Sequence, residues 1–222
     1  MSKVFVCING KTLAECQEQA AGKYAAELRL DLAPINPLEI KRLWASCEEW
    51  ILTLRNDFTS RSNWKEVFKY CLNLKPVYVD IDSELPEEVK KEVTVWVKSS
   101  NAELILSHHN FDETPEFDVL MEVISKLKAD GADVIKIACM AQEEEDNLIV
   151  MDLYREHDRL VAFCMGEEGR ESRVTSLFFG EKMTYAAASE YSIVAPGQLT
   201  YGELSDLLNF GFDDEEVLMI DD

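Results

Sequence analysis

A chain of 222 residues, 47% hydrophobic with ten Phe and four Trp, holds enough apolar material for one large domain or two small ones. Its formal net charge of −21 argues against a nucleic-acid backbone as ligand, which requires clustered Lys and Arg; an anionic small molecule would need a local basic pocket acting against the net field. The apolar run in "MSKVFVCING" is too short for a signal peptide and no stretch reaches the length of a membrane span, so a cytoplasmic protein without a membrane partner is expected.

In chain order, β-rich runs alternate with amphipathic ones. "KVFVCIN" reads as a strand before the helical "KTLAECQEQAAGKY", "AELRLDL" before "PLEIKRLWASC", "WILTLRN" before "SNWKEVFKYCLNL", and "PVYVDID" before "PEEVKKEVTVWVKSS". The series continues with "AELILSHH" and "TPEFDVLMEVISKLKAD", "ADVIKIAC" and "EEEDNLIVMDLYREH", "LVAFCMG" and a less regular "ESRVTSLFFG", and finally "YSIVAPGQ" and "TYGELSDLLNF". Ser62 leads into one helix, Thr114 with Pro115 supplies a cap and a first-turn proline for another, and the acidic "QEEEDN" suits a helix N-terminus. Eight strand and helix pairs predict an α/β fold, a (β/α)8 TIM barrel, as a single domain over residues 1–222 with an acidic tail that frays from about 212. The rival doubly wound sheet would show a glycine-rich phosphate turn, of which "CINGKTLAE" is a poor version. Six cysteines (Cys7, Cys16, Cys47, Cys71, Cys139, Cys164) without a CxxC pair read as free thiols rather than zinc ligands or disulfides.

Parallel strands buried on both faces normally read as continuous apolar runs. Here "AELRLDL" alternates Glu27, Arg29 and Asp31 with leucines, "TLRN" adds Arg55, "VDID" adds Asp80 and Asp82, and "VIKIAC" sets Lys136 between two isoleucines. In a barrel the polar set lines the interior, towards the C-terminal strand ends where active sites are built. An ion-pair network that only holds the barrel together would give the same alternation. Lys136 fits that reading less well, because an isolated ammonium is expensive to desolvate and imine chemistry is a reason to keep one. Two of the three histidines, His108 and His109, are adjacent, and strand alternation lets only one of them face a given site. His157, in "YREHDRL", reads as a solvated helix-end residue. A lysine that condenses with a ketone acidifies the neighbouring C–H, a histidine near neutrality removes that proton, and arginines hold an anionic substrate. The residues alone leave elimination and aldol-type chemistry both open.

The motifs "ELRLD", "TLR", "VDID", "ILSHHNF" with "TP", "GADVIKIA", "MGEEGRESR", "TYA" and "APGQ", in that order, resemble the type I 3-dehydroquinate dehydratase family over nearly the whole chain. The resemblance implies dehydration of 3-dehydroquinate to 3-dehydroshikimate through a lysine imine, with no metal or other cofactor, and it is compatible with a homodimer. It assigns the imine to Lys136, the general acid and base to His109, and the carboxylate that orients this histidine to Asp82. It gives the substrate carboxylate to Arg173, further substrate contacts to Gln198, Glu27, Arg29 and Arg55, and the flanks of the ring to Met165 and Tyr185; His108 is left packed beneath a helix.

Three departures stand out. Asp82 occupies a position where many members have Glu, "NDFTSRSNW" replaces a loop that commonly carries Glu-Gly-Gly, and Val194 stands where a serine often precedes "APGQ". The alternatives are another lysine-dependent barrel, such as a class I aldolase, which would call for a phosphate cradle, and a catalytically silent barrel, against which the joint presence of Lys136 and His109 argues.

Overall fold

The apolar residues of each strand segregate by parity, one set facing the helices and the other the barrel interior. In the computed structural model, which describes residues 2–211, the strands are β1 (Lys3–Ile8), β2 (Ala25–Arg29), β3 (Glu49–Leu54), β4 (Tyr78–Asp82), β5 (Glu103–Asn110), β6 (Val134–Met140), β7 (Leu160–Met165) and β8 (Met183–Ala187). All pair in parallel, in the order β7-β6-β5-β4-β3-β2-β1-β8, as the TIM-barrel reading requires. Outward residues such as Val6, Leu28, Leu52, Val79, Leu106 and Ile137 form one core with the surrounding helices, while Phe5, Ile51, Tyr78, Ile105, Val134, Val161 and Tyr185 fill the barrel. The acidic tail expected from about residue 212 lies outside the described residues.

The helices are α1 (Leu13–Ala20), α2 (Pro37–Trp44), a short α3 (Asn56–Thr59), α4 (Trp64–Leu72), α5 (Glu87–Lys98), α6 (Phe117–Ala129), α7 (Asp146–Asp152), α8 (Arg170–Thr175) and α9 (Tyr201–Gly211). Local chemistry explains several starts. Asn36 and Glu39 cap α2 reciprocally with Pro37 in its first turn, and the Thr12 hydroxyl accepts from Glu15 N–H at the head of α1. Two expected caps fail. α4 begins after Asn63, not Ser62, and α6 begins after Glu116, beyond Thr114 and Pro115. The Thr114 hydroxyl instead donates to the Met140 carbonyl at 3.0 Å, tying the β5–α6 loop to the end of β6. His157 is half-buried, with an enclosed Nε2 that has no hydrogen-bond partner among the described residues, and is therefore not the solvated residue expected.

The eighth strand is displaced from its predicted position. It is "MTYAA", and "YSIVAPGQ" is a loop containing a short 3-10 turn at Glu190–Ser192. Its apolar residues imitate a strand, but Pro196 has no N–H for a ladder, and Gly197, at φ +67°, packs where an added Cβ would lie 1.9 Å from the Gly166 carbonyl oxygen.

Among the described residues the ladder stops between β7 and β8. The seam is bridged by other groups. Glu181 N–H donates to Leu160 O, Gly166 N–H donates to Pro196 O, and the Tyr154 hydroxyl both accepts from Ala162 N–H (2.7 Å) and donates to Ala162 O (2.8 Å). One phenol thus satisfies both polar groups that Ala162 turns away from β6. Tyr154→Phe leaves both without that partner and should cost about 1–3 kcal/mol of stability, read as a lowered urea midpoint at unchanged m-value.

Candidate active site

All ten residues singled out from the sequence line one cavity of about 380 Å³ at the C-terminal ends of the strands: Glu27, Arg29, Arg55, Asp82, His109, Lys136, Met165, Arg173, Tyr185 and Gln198. Period-two alternation brings the strand residues there, while Arg173 comes from α8 and Gln198 from the loop after β8. Glu27 and Arg29 on β2, Asp80 and Asp82 on β4, Ser107 and His109 on β5, and Lys136 on β6 all carry the inward parity, with Arg55 just past β3.

Lys136 is not the isolated ammonium expected from the sequence. Its Nζ lies 3.0 Å from Asp80 Oδ2 and 3.8 Å above the centre of the Tyr185 ring. Asp80 is fully buried; its Oδ1 also accepts from Arg55 (2.8 Å) and from the Ser107 hydroxyl (2.5 Å). Burial alone would raise this carboxyl, but the charges of Arg55 and Lys136 and the two hydrogen bonds outweigh it and hold Asp80 well below the usual carboxylate range. Sequence reasoning noted Asp80 as an interior charge and gave it no role. The signal was its spacing of two from Asp82.

His109 Nδ1 lies 2.8 Å from Asp82 Oδ2, so the shorter carboxylate reaches the imidazole. Burial raises the Asp82 carboxyl, and the hydrogen bond and charge of His109 together with Arg55 lower it by more, leaving it ionised. An ionised carboxylate only accepts, so Nδ1 carries the proton and Nε2 keeps its lone pair. Burial lowers the pKa of His109, the Asp82 bond offsets part of that, and Arg55 and Lys136 lower it again, so the ring is neutral near pH 7. Phe111 stacks on it, centroids 5.8 Å apart and planes 10° from parallel. His108, of opposite parity, does not line the cavity.

Arg173, 2% exposed, extends from α8 over the face of Phe163 at 4.6 Å. One terminal nitrogen donates to Pro196 O at 3.2 Å, and its enclosed Nε has no partner among the described residues. Burial pulls its pKa down to about 10, with no carboxylate among the groups acting on it. Arg29, by contrast, is committed to Asp31 through two hydrogen bonds of 3.0 and 2.7 Å. Glu27 accepts from Cys7 and Thr53, and the Gln198 carboxamide oxygen accepts from Val194 N–H. Phe163, Thr53, Ser107 and Cys7 were not singled out from the sequence, because apolar or small residues on a strand carry no chemical signal of their own. Among the described residues no group of three or more His, Cys, Asp or Glu is placed to hold a metal ion, and no helix is long and apolar enough to cross a membrane.

Residues 4–215 match the family model described as type I 3-dehydroquinase. The chain is 37% identical over 189 residues to a 3-dehydroquinate dehydratase of Pyrococcus abyssi, covering 82% of this chain and 85% of that one. It is 34% identical over 210 residues to the 3-dehydroquinate dehydratase of Thermococcus gammatolerans, covering 89% and 92%. The solved structure of a type I 3-dehydroquinate dehydratase from Clostridium difficile with covalently modified comenic acid superposes with a TM-score of 0.77 at 25% identity, over 94% of this chain and 91% of that one.

Removing the charge of Asp80 leaves Arg55 and Lys136 buried without their shared anion. Asp80→Asn should therefore lose about 3–5 kcal/mol at neutral pH, measured by urea denaturation. Because the folded-state carboxyl is depressed, the stabilisation is complete above the ordinary carboxylate value of about 4 and is lost as pH falls below it. The stability gap between wild type and variant should accordingly narrow only in acid.

Proposed function

The chain belongs to the type I 3-dehydroquinase family, and from that premise we propose that it is a hydro-lyase converting 3-dehydroquinate to 3-dehydroshikimate and water through an imine on Lys136, with His109 as general acid and base. The observation that carries this reading is the convergence of Lys136, the oriented His109 and the partly unpaired Arg173 on one cavity. The covalently modified ligand named for the Clostridium difficile relative is in keeping with it.

The Lys136 amine adds to the ketone carbon, and loss of water leaves an iminium. That positive charge acidifies the adjacent C–H, and His109 Nε2, whose lone pair is kept free by the Nδ1–H bond to Asp82, takes the proton. The resulting enamine expels the hydroxyl one carbon further on, His109 returns its proton so that water leaves, and hydrolysis of the conjugated iminium frees the product and the amine. Arg173 binds the substrate carboxylate: a buried guanidinium with no carboxylate partner among the described residues supplies both charge and directed donors. Met165 and the Tyr185 ring flank the substrate, Gln198, Glu27 and Arg55 contact its polar groups, and Arg29 stiffens the wall through Asp31.

Incubation with 3-dehydroquinate followed by borohydride reduction should give a mass adduct on the peptide containing Lys136; a fully active enzyme without that adduct would refute the imine. Lys136→Ala should abolish turnover and His109→Ala should lower kcat by about 100-fold or more, whereas His108→Ala should keep at least a tenth of the rate, followed by absorbance of the conjugated enone.

The base must be neutral to accept a proton, and the His109 pKa lies below its ordinary 6.5. The acid limb of kcat/KM should therefore lie below pH 6.5, which a pH-rate profile measures.

A further inference from the structure

An unbroken chain of hydrogen bonds, buried except at its outer end, runs from the loop after β8 to the barrel interior and passes through one thiol. Val194 N–H donates to Gln198 Oε1 at 2.9 Å, and Gln198 Nε2 donates to Cys7 Sγ at 3.2 Å. The Cys7 thiol donates to Glu27 Oε2 at 2.8 Å, and the Thr53 hydroxyl donates to Glu27 Oε1 at 2.6 Å. β1 lies between β2 and β8, with Cys7 in register with Glu27 on one side and Ala187 on the other, so its side chain reaches both walls. An amide nitrogen only donates and a carboxylate only accepts, so the group joining them must do both; a thiol or a hydroxyl can, and a methyl cannot. Burial, then the Glu27 charge, keeps this thiol protonated, which argues against a nucleophilic or redox role.

We propose that Cys7 is a positioning residue for substrate binding, its thiol holding Glu27 and Gln198 at a fixed separation so that both meet the polar groups of the substrate. The proposal rests on the dehydratase reading above. Without the sulfur, the Gln198 carboxamide and one Glu27 oxygen lose a buried partner at once, and each turns towards whatever partner remains. Among the described residues no hydrogen bond joins Lys136, His109 or Asp82 to this chain, so binding suffers and chemistry does not.

The test compares steady-state kinetics of wild type, Cys7→Ala and Cys7→Ser with 3-dehydroquinate, together with the infrared S–H stretch of each protein. Cys7→Ala should raise KM about tenfold with kcat within about twofold, the signature of lost binding energy, and Cys7→Ser, which can still accept and donate, should bring KM back to within about threefold of wild type. A variant that merely folds poorly would lose active enzyme, lowering apparent kcat at unchanged KM, and that outcome would overturn the proposal, as would an unchanged KM in Cys7→Ala or a serine variant no better than alanine. The wild-type spectrum should show a band, absent from both variants, shifted to lower frequency than the other thiols by donation to a carboxylate; absence of that shift would also overturn it. Wild-type protein with the shifted band and no turnover of 3-dehydroquinate would instead sink the dehydratase reading and with it this role of Cys7, while normal wild-type turnover with kinetically indifferent Cys7 variants would sink the positioning role alone.

Discussion

The interior of this barrel depends on one carboxylate. Arg55 and Lys136 both enter a space from which most water is excluded, and neither cation is tolerable there without an anion close by. Asp80 serves both, with one oxygen towards Arg55 and Ser107 and the other towards Lys136. That single side chain ties together β4, β5, β6 and the end of β3, and it holds Nζ of Lys136 over Tyr185. Arg55 reaches on to within 3.9 Å of Asp82, which in turn orients His109. Lys136 and His109, the two groups assigned to the chemistry, therefore stand at the ends of one charged chain of four contacts, and the geometry of each depends on the other.

The surface and the cavity carry opposite electrostatic messages. A net charge of −21 repels a carboxylate at a distance, yet screening in physiological salt confines that field to about 8 Å from the exposed charges. Inside, most cations are already matched: Arg29 by Asp31, Arg55 and Lys136 by Asp80. Arg173 differs: among the described residues its partners are a backbone carbonyl and an aromatic face, with no carboxylate. The cavity is thus attractive to an anion at one point rather than along its whole wall, which suits an oriented small substrate better than a diffuse polyanion.

That same arginine is linked to the irregular side of the fold. Because the ladder stops between β7 and β8, the loop after β8 can fold back on the end of β7, where the Pro196 carbonyl accepts from both Gly166 and Arg173. The close approach demands glycine at 197.

The barrel and the inward charges Glu27, Arg29, Arg55, Asp80, Asp82 and Lys136 were legible in the sequence because strand parity is a local property: a charge that recurs every second residue between apolar ones can only face one side, and in this architecture that side is the interior, whereas Arg173, Gln198, Met165 and Tyr185 came from the family resemblance alone. His109 was separated from His108 by the same rule. Apart from Asp82 with His109, which the family resemblance implied, contacts between side chains from different strands were not legible. The pairing of Lys136 with Asp80, the bridge through Cys7, the Tyr154 phenol across the seam and the position of β8 depend on how strands are staggered around the barrel. Helix starts at Ser62 and Thr114 were misjudged for a related reason, since Thr114 found a better partner in the Met140 carbonyl, a residue distant in sequence. By itself the sequence determined which residues turn inward, since alternation is written into each strand; only the tertiary structure decided which of them meet, because strand register and loop return are settled by packing among segments far apart in the chain.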